Sequence, residues 1–259
     1  MRLSSLIVAG AVMLAPLAAV EAKDEALAKA IAGAHRTPAL IERDKARKPQ
    51  EELEFFGVKP TMTVVEISPG GGYWTEILAP YLKDKGVYYT AVSPRQAEAW
   101  KKKLDATPAV YGNVKISQMG GGSYDIAPEG SADMVLTFRN VHNWMSQGTA
   151  EQAFAAFYKA LKPGGVLGVE EHRASDKQPQ DPKASNGYVR QDYTVELAEK
   201  AGFKFVGSSE ILANPKDTKD WPKGVWTLPP TLTLGDQDRA KYVAIGEADN
   251  FVLKFQKPK

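Results

Sequence analysis

Two of the three histidines in this sequence stand where a base could act on a bound molecule. His142 comes shortly after the apolar run "ADMVLTF", and His172 directly follows "VLGVEE". An imidazole titrates near neutral pH, so a histidine just past a buried strand is suited to accept a proton from a substrate. We therefore expect His142 and His172 to be catalytic bases. His35 lies in a charged N-terminal segment, and we expect it at the surface.

The same histidines have carboxylates beside them, at Glu170 and Glu171. Histidine and carboxylate side chains are also metal ligands, so a metal site is an alternative interpretation of this cluster. The sequence has no HxxxH or HExxH spacing, however, which is how two histidines share a metal on one helix. The sequence alone therefore predicts no metal.

The stretch "VVEISPGGGYW" has the pattern of a strand, a tight turn and the start of a helix. Its β-branched apolar run ends at Glu66, and Gly70, Gly71 and Gly72 follow. Glycines let a backbone turn sharply and approach a ligand closely, and the next helix presents free N–H groups at its start. This pattern favours a nucleotide-like ligand at the turn. Tight packing of a strand against a helix would also select glycine, so the turn alone does not decide.

Strands and helices alternate along most of the chain, which indicates an α/β fold with a parallel sheet covered on both faces. We predict strands at 63–68, 87–92, 114–118, 134–138, 166–170, 204–208 and 250–256. We predict helices at 74–82, 94–104, 150–161 and 193–201. Strand ends in such sheets form the ligand-binding edge, so the glycine turn and both histidines should meet there.

Composition and the chain ends narrow the possible classes of protein. The 259 residues are 43% hydrophobic and 25% charged with a net charge of +2, which suggests one globular domain and no nucleic-acid partner.

Residues 1–22 read as a signal peptide cut after Ala22, because their apolar run is shorter than the roughly 20 residues that span a bilayer. We therefore expect a periplasmic or secreted protein with no membrane partner after cleavage. The absence of cysteine excludes disulfides and thiol chemistry.

The motifs "EISPGGG" and "LKPGGVLGVEEHR" together resemble the class I S-adenosylmethionine-dependent methyltransferases. In that family a Lys-Pro-Gly-Gly turn precedes the fifth strand, and "DNFVLKFQKP" is similar to its antiparallel last strand. The resemblance implies a doubly wound, mostly parallel seven-stranded Rossmann-like sheet and S-adenosylmethionine as cofactor. It covers most of a methyltransferase-like domain at 57–259, excluding a long loop at 213–249 that is rich in Pro, Asp and Lys. The charged, helix-prone residues 23–56 indicate a helical arm before that domain. More narrowly, "RDKARKP" and "YVRQDYTVELAEKAGF" resemble an exported bacterial family of predicted methyltransferases.

The resemblance also implies which residues hold the cofactor. Ser68, Gly70 and Gly72 stand at the three glycine positions of the family's turn, and Arg43, Asp44 and Arg47 of the arm either fold over the cofactor or form a solvated helix. The cofactor-binding residues implied are Glu66, Ser68, Gly70, Gly71, Gly72, Tyr73, Ser93 and Asn140.

Two of these residues depart from the family: Ser68 stands at a glycine position, and Ser93 stands at an acidic one. Where the family has an acid at the end of its second strand, this chain has Ser93. A serine hydroxyl makes one hydrogen bond to the ribose where a carboxylate makes two charge-assisted ones, a difference of roughly 1 to 3 kcal/mol. Either the cofactor binds more weakly here, or Glu98 substitutes for the acid. The sequence therefore leaves two functions open. One is an exported methyltransferase acting on a small molecule, and the other is a catalytically inactive methyltransferase-like periplasmic protein that binds a ligand or partner. A nicotinamide dehydrogenase is disfavoured, because Thr75 stands where that motif needs its third glycine.

Overall fold

The computed structural model describes residues 23–259, so the predicted signal peptide lies outside the described residues. The strands are β1 (Thr63–Ile67), β2 (Val87–Val92), β3 (Val114–Gln118), β4 (Ala132–Phe138), β5 (Leu161–His172), β6 (Lys204–Ser209), β7 (Pro222–Val225) and β8 (Asn250–Gln256). The helices are α1 (Glu25–Ile31), α2 (Pro38–Ile41), α3 (Asp44–Arg47), α4 (Pro49–Phe56), α5 (Thr75–Leu82), α6 (Ala97–Asp105), α7 (Pro108–Tyr111), α8 (Val141–Gln147), α9 (Ala150–Ala160), α10 (Gln191–Lys200) and α11 (Arg239–Ile245). None of the described helices is long and apolar enough to cross a membrane.

Seven of these strands form one mixed sheet in the order β3-β2-β1-β4-β5-β8-β6. Neighbouring strands from β3 to β5 run parallel, whereas β8 is antiparallel to both β5 and β6. The strand order reverses between β1 and β4, and ligands of such sheets bind at the carboxyl ends of the strands beside that point. The predicted fold class is confirmed, including the antiparallel last strand.

Helices cover both faces of the sheet because successive side chains of a strand point to opposite faces, and the central strands carry apolar side chains on both. On β1, Val64 packs in one core cluster with Ile77 of α5. Its neighbour Val65 points to the opposite face and joins a second cluster with Phe154 and Phe157 of α9. The sheet is therefore doubly wound, and its ligand edge is held between two packed layers.

Of the elements that carry the two histidines, both differ from the prediction. Strand β5 spans Leu161–His172 rather than 166–170, since Leu161 already pairs with Ala132 of β4. The register then shifts through residues 162–165, where Gly164 has a φ of 82°, and regular pairing resumes at Val166. Helix α8 follows β4 directly and was not predicted. Its buried side chains are Val141, His142, Trp144 and Met145, an i, i+3, i+4 pattern too short to distinguish from a loop.

The N-terminal arm, residues 23–56, packs against the sheet through α4. Leu53 and Phe56 are fully buried. A Cβ atom at Gly168 of β5 would lie 2.7 Å from both Phe56 and Leu136, so only glycine lets α4 approach this strand so closely. The arm is also braced internally, because Arg36 donates two hydrogen bonds to the Asp44 carboxylate, at 2.6 and 2.9 Å.

The long loop, residues 213–249, contains β7 and α11 and has a small core of its own. Val225, Leu228 and Tyr242 are buried there against Tyr188. The carboxylate of Asp217 accepts hydrogen bonds from the Tyr188 hydroxyl, the Trp221 indole and the backbone N–H groups of residues 219 and 249. This buried carboxylate holds the loop to the body of the domain.

Candidate functional site

A cavity of about 290 Å³ lies at the carboxyl ends of β1, β4 and β5, bounded by the arm and the long loop. Its size is at the lower end of the range for small-molecule sites. The sheet contributes the glycine turn and the residues just past β4 and β5. The arm contributes Leu40, Arg43 and Arg47, and the long loop contributes a wall that includes Val225, Trp226 and Thr231. The cavity therefore joins three parts of the chain that are far apart in sequence.

The glycine turn, residues 68–72, presents bare backbone to this cavity. Ser68, Gly70 and Gly72 all have positive φ, at 51°, 57° and 92°. A Cβ atom added at Gly70 or Gly71 would meet no atom within 4 Å, so the space above the turn is open. Such a cradle admits a ligand to the backbone, as the proposed cofactor requires.

Glu66 is fully buried at the base of the turn. Its carboxylate accepts hydrogen bonds from Thr75 Oγ1, at 2.6 Å, and from the Tyr88 hydroxyl. Burial raises the pKa of Glu66 to about 7, although both hydrogen bonds act in the opposite direction. Glu66 is therefore partly protonated at neutral pH and fixes the turn to β2 and α5.

Gly72 and Ser93 are the two predicted cofactor-binding residues that do not belong to the described lining of the cavity. The Ser93 hydroxyl donates to Gln96 Oε1 at 2.6 Å. A Cβ atom at Gly72 would lie 2.9 Å from Nζ of Lys103, which donates to the Gly71 carbonyl. The other six predicted residues, Glu66, Ser68, Gly70, Gly71, Tyr73 and Asn140, all line the cavity.

Tyr73 faces the arm. Its hydroxyl donates to Asp44 Oδ1 at 2.7 Å, and the Arg47 guanidinium lies 4.4 Å from the centroid of its ring. The next residue, Trp74, stacks on Phe138 with ring centroids 4.2 Å apart. These contacts place α3 of the arm over the glycine turn.

Asn140 joins the ends of β1 and β4. Its amide donates to the Ile67 carbonyl at 3.1 Å and to the Phe138 carbonyl at 3.3 Å. The preceding residue, Arg139, has a φ of 60°, a conformation that costs free energy in a non-glycine residue and is often found at functional sites. This turn directs the start of α8, and with it His142, to the cavity.

The two predicted catalytic histidines lie together on the cavity wall, with ring centroids 5.5 Å apart. His142 Nδ1 lies 3.0 and 3.1 Å from the two carboxylate oxygens of Glu171. Burial lowers the pKa of His142, but the charge of Glu171 and its hydrogen bond together raise it by more, so the net shift is upward. Burial raises the pKa of Glu171, and the charge of His142 reverses that shift to a net decrease. His142 and Glu171 therefore form a buried pair.

His172 contacts a different partner. Its Nδ1 lies 2.7 Å from Asn250 Oδ1, and the Asn250 amide nitrogen donates to Glu170 at 3.2 Å. Burial lowers the pKa of His172 to about 3, so its ring is neutral at physiological pH. His172 is thus held as a neutral imidazole beside the paired His142.

Arg139, Glu247 and Trp226 at the site were not predicted as functional residues, and the partner of Arg43, which was a candidate, was not predicted either. Arg139 and Arg43 both bond Glu247 of the long loop, at 2.9 and 2.6 Å, and Trp226 of the same loop lies 6.0 Å from the His142 ring. Each pairing joins residues distant in sequence, and no local pattern signals it. The position of Glu171 beside His172, at the end of a strand, did indicate in the sequence that Glu171 belongs to the site.

Comparisons with known proteins agree with the fold of this chain. Residues 64–165 match the family model of a methyltransferase domain. Comparison with curated proteins gives no significant match. A SAM-dependent methyltransferase from Aquifex aeolicus is 15% identical, with 85% of this chain and 93% of that chain covered and a TM-score of 0.58. The [4+2]-cyclase SpnF is 16% identical, with 90% and 91% covered and a TM-score of 0.58. PigF with SAH is 12% identical, with 79% and 53% covered and a TM-score of 0.50.

The chain therefore has the fold of the class I S-adenosylmethionine-dependent methyltransferases, as the sequence motifs predicted. Within it, residues 64–165 match the model of a methyltransferase domain. The narrower resemblance to an exported bacterial family stays a prediction.

Proposed function

We propose that this protein is an exported S-adenosylmethionine-dependent methyltransferase that acts on a small molecule. The observation that carries the proposal is one cavity in which the glycine turn and both strand-end histidines meet. The size of the cavity favours a small acceptor over a macromolecule. Export rests on residues 1–22, whose apolar run and small residues before Lys23 are typical of a cleaved signal peptide.

The residues present fit the cofactor at the glycine turn. Gly70 and Gly71 offer open backbone, and Ser68 and Asn140 frame the ends of β1 and β4. When bound, S-adenosylmethionine supplies a sulfonium methyl group that a nucleophile of the acceptor attacks in line. The protein then acts mainly by holding both molecules in position.

The proton released by the acceptor needs a base, and the histidine pair is placed to supply one. Asn250 fixes His172 so that its Nδ1 donates, which leaves Nε2 with a free lone pair. Glu171 orients the His142 ring in the same way that a carboxylate orients a catalytic histidine elsewhere. His142 is the stronger base of the two, because Glu171 raises its pKa whereas burial lowers the pKa of His172 to about 3, and it is placed to accept a proton from an acceptor in the cavity.

A calorimetric titration with S-adenosylmethionine and S-adenosylhomocysteine tests the cofactor site. We expect micromolar binding that falls at least about 100-fold, or roughly 2.7 kcal/mol, in Gly70→Val, because the valine side chain fills the cradle. Gly130→Val is the matched control, since Gly130 has a similar φ of 61° and open space around it but lies outside the cavity lining. Unchanged binding in Gly70→Val would refute the site. N-terminal sequencing of the exported protein should find Lys23 as its first residue.

Ser93 favours a second candidate, a methyltransferase-like protein without catalysis that binds a periplasmic ligand or partner. Its hydroxyl donates a hydrogen bond to Gln96. Ser93 follows the last residue of β2, at the position where the family has a carboxylate. No binding of either compound up to millimolar concentration would support this second function. A methyl acceptor found by a radiolabel screen would exclude it.

A further inference from the structure

We infer that His142, Glu171 and His172 form a binding site for a divalent transition metal ion of the zinc class. One potential ligand atom from each residue lies within 4.8 Å of the other two. Two imidazoles and one carboxylate are a set of ligands that suits such ions, whereas magnesium and calcium prefer oxygen alone. This inference concerns ion binding and does not depend on methyl transfer.

The carboxylate of the site is fixed by the backbone. Glu171 Oε1 accepts from the N–H of His172 at 2.8 Å, and Oε2 accepts from the N–H of His142 at 3.1 Å. The Glu171 side chain is fully buried, so water does not compete for it. Both N–H groups can keep their hydrogen bonds to the Glu171 carboxylate while it binds an ion, so the carboxylate stays in position.

His172 is held in the tautomer that an ion requires. The Asn250 nitrogen donates to Glu170 at 3.2 Å, which turns the Asn250 oxygen towards His172. Since that oxygen can only accept, His172 Nδ1 must donate, and Nε2 carries the lone pair. A hydrogen bond from the second ring nitrogen to a carbonyl is the usual support of a metal-binding histidine.

The geometry requires only a small contraction. A tetrahedral zinc ion with bonds of about 2.0 to 2.2 Å needs its ligands roughly 3.4 Å apart. Ligand atoms that now lie within 4.8 Å of one another must therefore approach by up to about 1.4 Å. His142 Nδ1 already contacts both Glu171 oxygens, at 3.0 and 3.1 Å, so an ion bound through that nitrogen would take the place of its proton. His142 and His172 line the cavity, so a fourth position remains available to a molecule bound there.

The histidines come from two different elements, α8 and β5, which is why no short histidine motif marks the site. Under the proposed function, an ion held here would promote loss of the acceptor's proton in place of a free histidine. Only that last step rests on the proposed function.

Titration of the untagged, metal-stripped full chain with cobalt(II) and zinc tests the inference. We expect one equivalent of cobalt(II) to produce visible absorption bands, zinc to displace it, and magnesium to do neither. His172→Ala should weaken cobalt(II) binding at least tenfold. His35→Ala is the matched control, because it removes the third histidine, which contacts the Glu76 carbonyl away from the cavity lining.

Two results would overturn the inference: no cobalt(II) bands in the unaltered chain, or the same affinity in His172→Ala as in His35→Ala. A zinc-dependent rise in the melting temperature of the unaltered chain gives a readout that needs no variant. Because these titrations contain no S-adenosylmethionine, their failure is distinct from a failure of the cofactor titration.

Discussion

At the scale of single residues, Glu66 shows how a predicted ligand-binding residue can serve the fold first. Thr75 and Tyr88 both donate to its carboxylate, so Glu66 fastens the glycine turn to α5 and β2. The sequence placed Glu66 at the end of β1, and that placement was correct. Its two donors come from elements that meet only in the folded sheet.

The raised pKa of Glu66 makes stability depend on pH. Because burial lifts that pKa from 4.5 to about 7, the folded chain holds more protons than the unfolded chain between these values. This contribution to stability is therefore complete below about pH 4.5 and is lost as the pH rises through 7. Glu66→Gln removes the dependence, so its free energy of unfolding relative to the unaltered chain should rise by up to about 3 kcal/mol from pH 5 to pH 8.

Urea unfolding at both pH values measures this difference. Glu98→Gln is the matched control, since Glu98 is exposed on α6 and should give the same relative stability at both. Equal behaviour of the two variants would show that Glu66 is not responsible.

At the scale of elements, the strands were easier to predict than the segments between them. The bounds of β2, β3 and β8 match the prediction, because each is a short run rich in β-branched or aromatic residues. Helix α8 left only a short pattern, and the pairing of His142 with Glu171 spans 29 residues of sequence. The sequence could therefore predict where each histidine stands but not what it contacts.

The long loop depends on one side chain, Asp217. Asp217→Ala leaves a buried tyrosine hydroxyl, an indole and two backbone N–H groups without their acceptor. We expect a loss of about 1 to 3 kcal/mol in the free energy of unfolding and faster hydrogen exchange across 213–249. Asp220→Ala is the control, because Asp220 is exposed in the same loop. Equal exchange in both variants would contradict this role for Asp217.

At the scale of the whole molecule, the fold was predictable and the enclosure of its site was not. The glycine turn, the doubly wound sheet and the antiparallel β8 followed from motifs in the sequence. The walls of the cavity come from the arm and the long loop, whose positions depend on contacts such as Tyr73 with Asp44. Side chains far apart in sequence set these contacts, and composition alone does not indicate them.

Glu247 connects the two walls. It lies in the long loop, bonds Arg43 of the arm at 2.6 and 2.7 Å, and also bonds Arg139 beside the cavity. Separating the arm from the loop at this link therefore requires both bonds to Arg43 to break. The rates of ligand entry and release should then share one barrier, set by the motion of the chain. Weakening that link would speed both rates by the same factor and leave the dissociation constant unchanged.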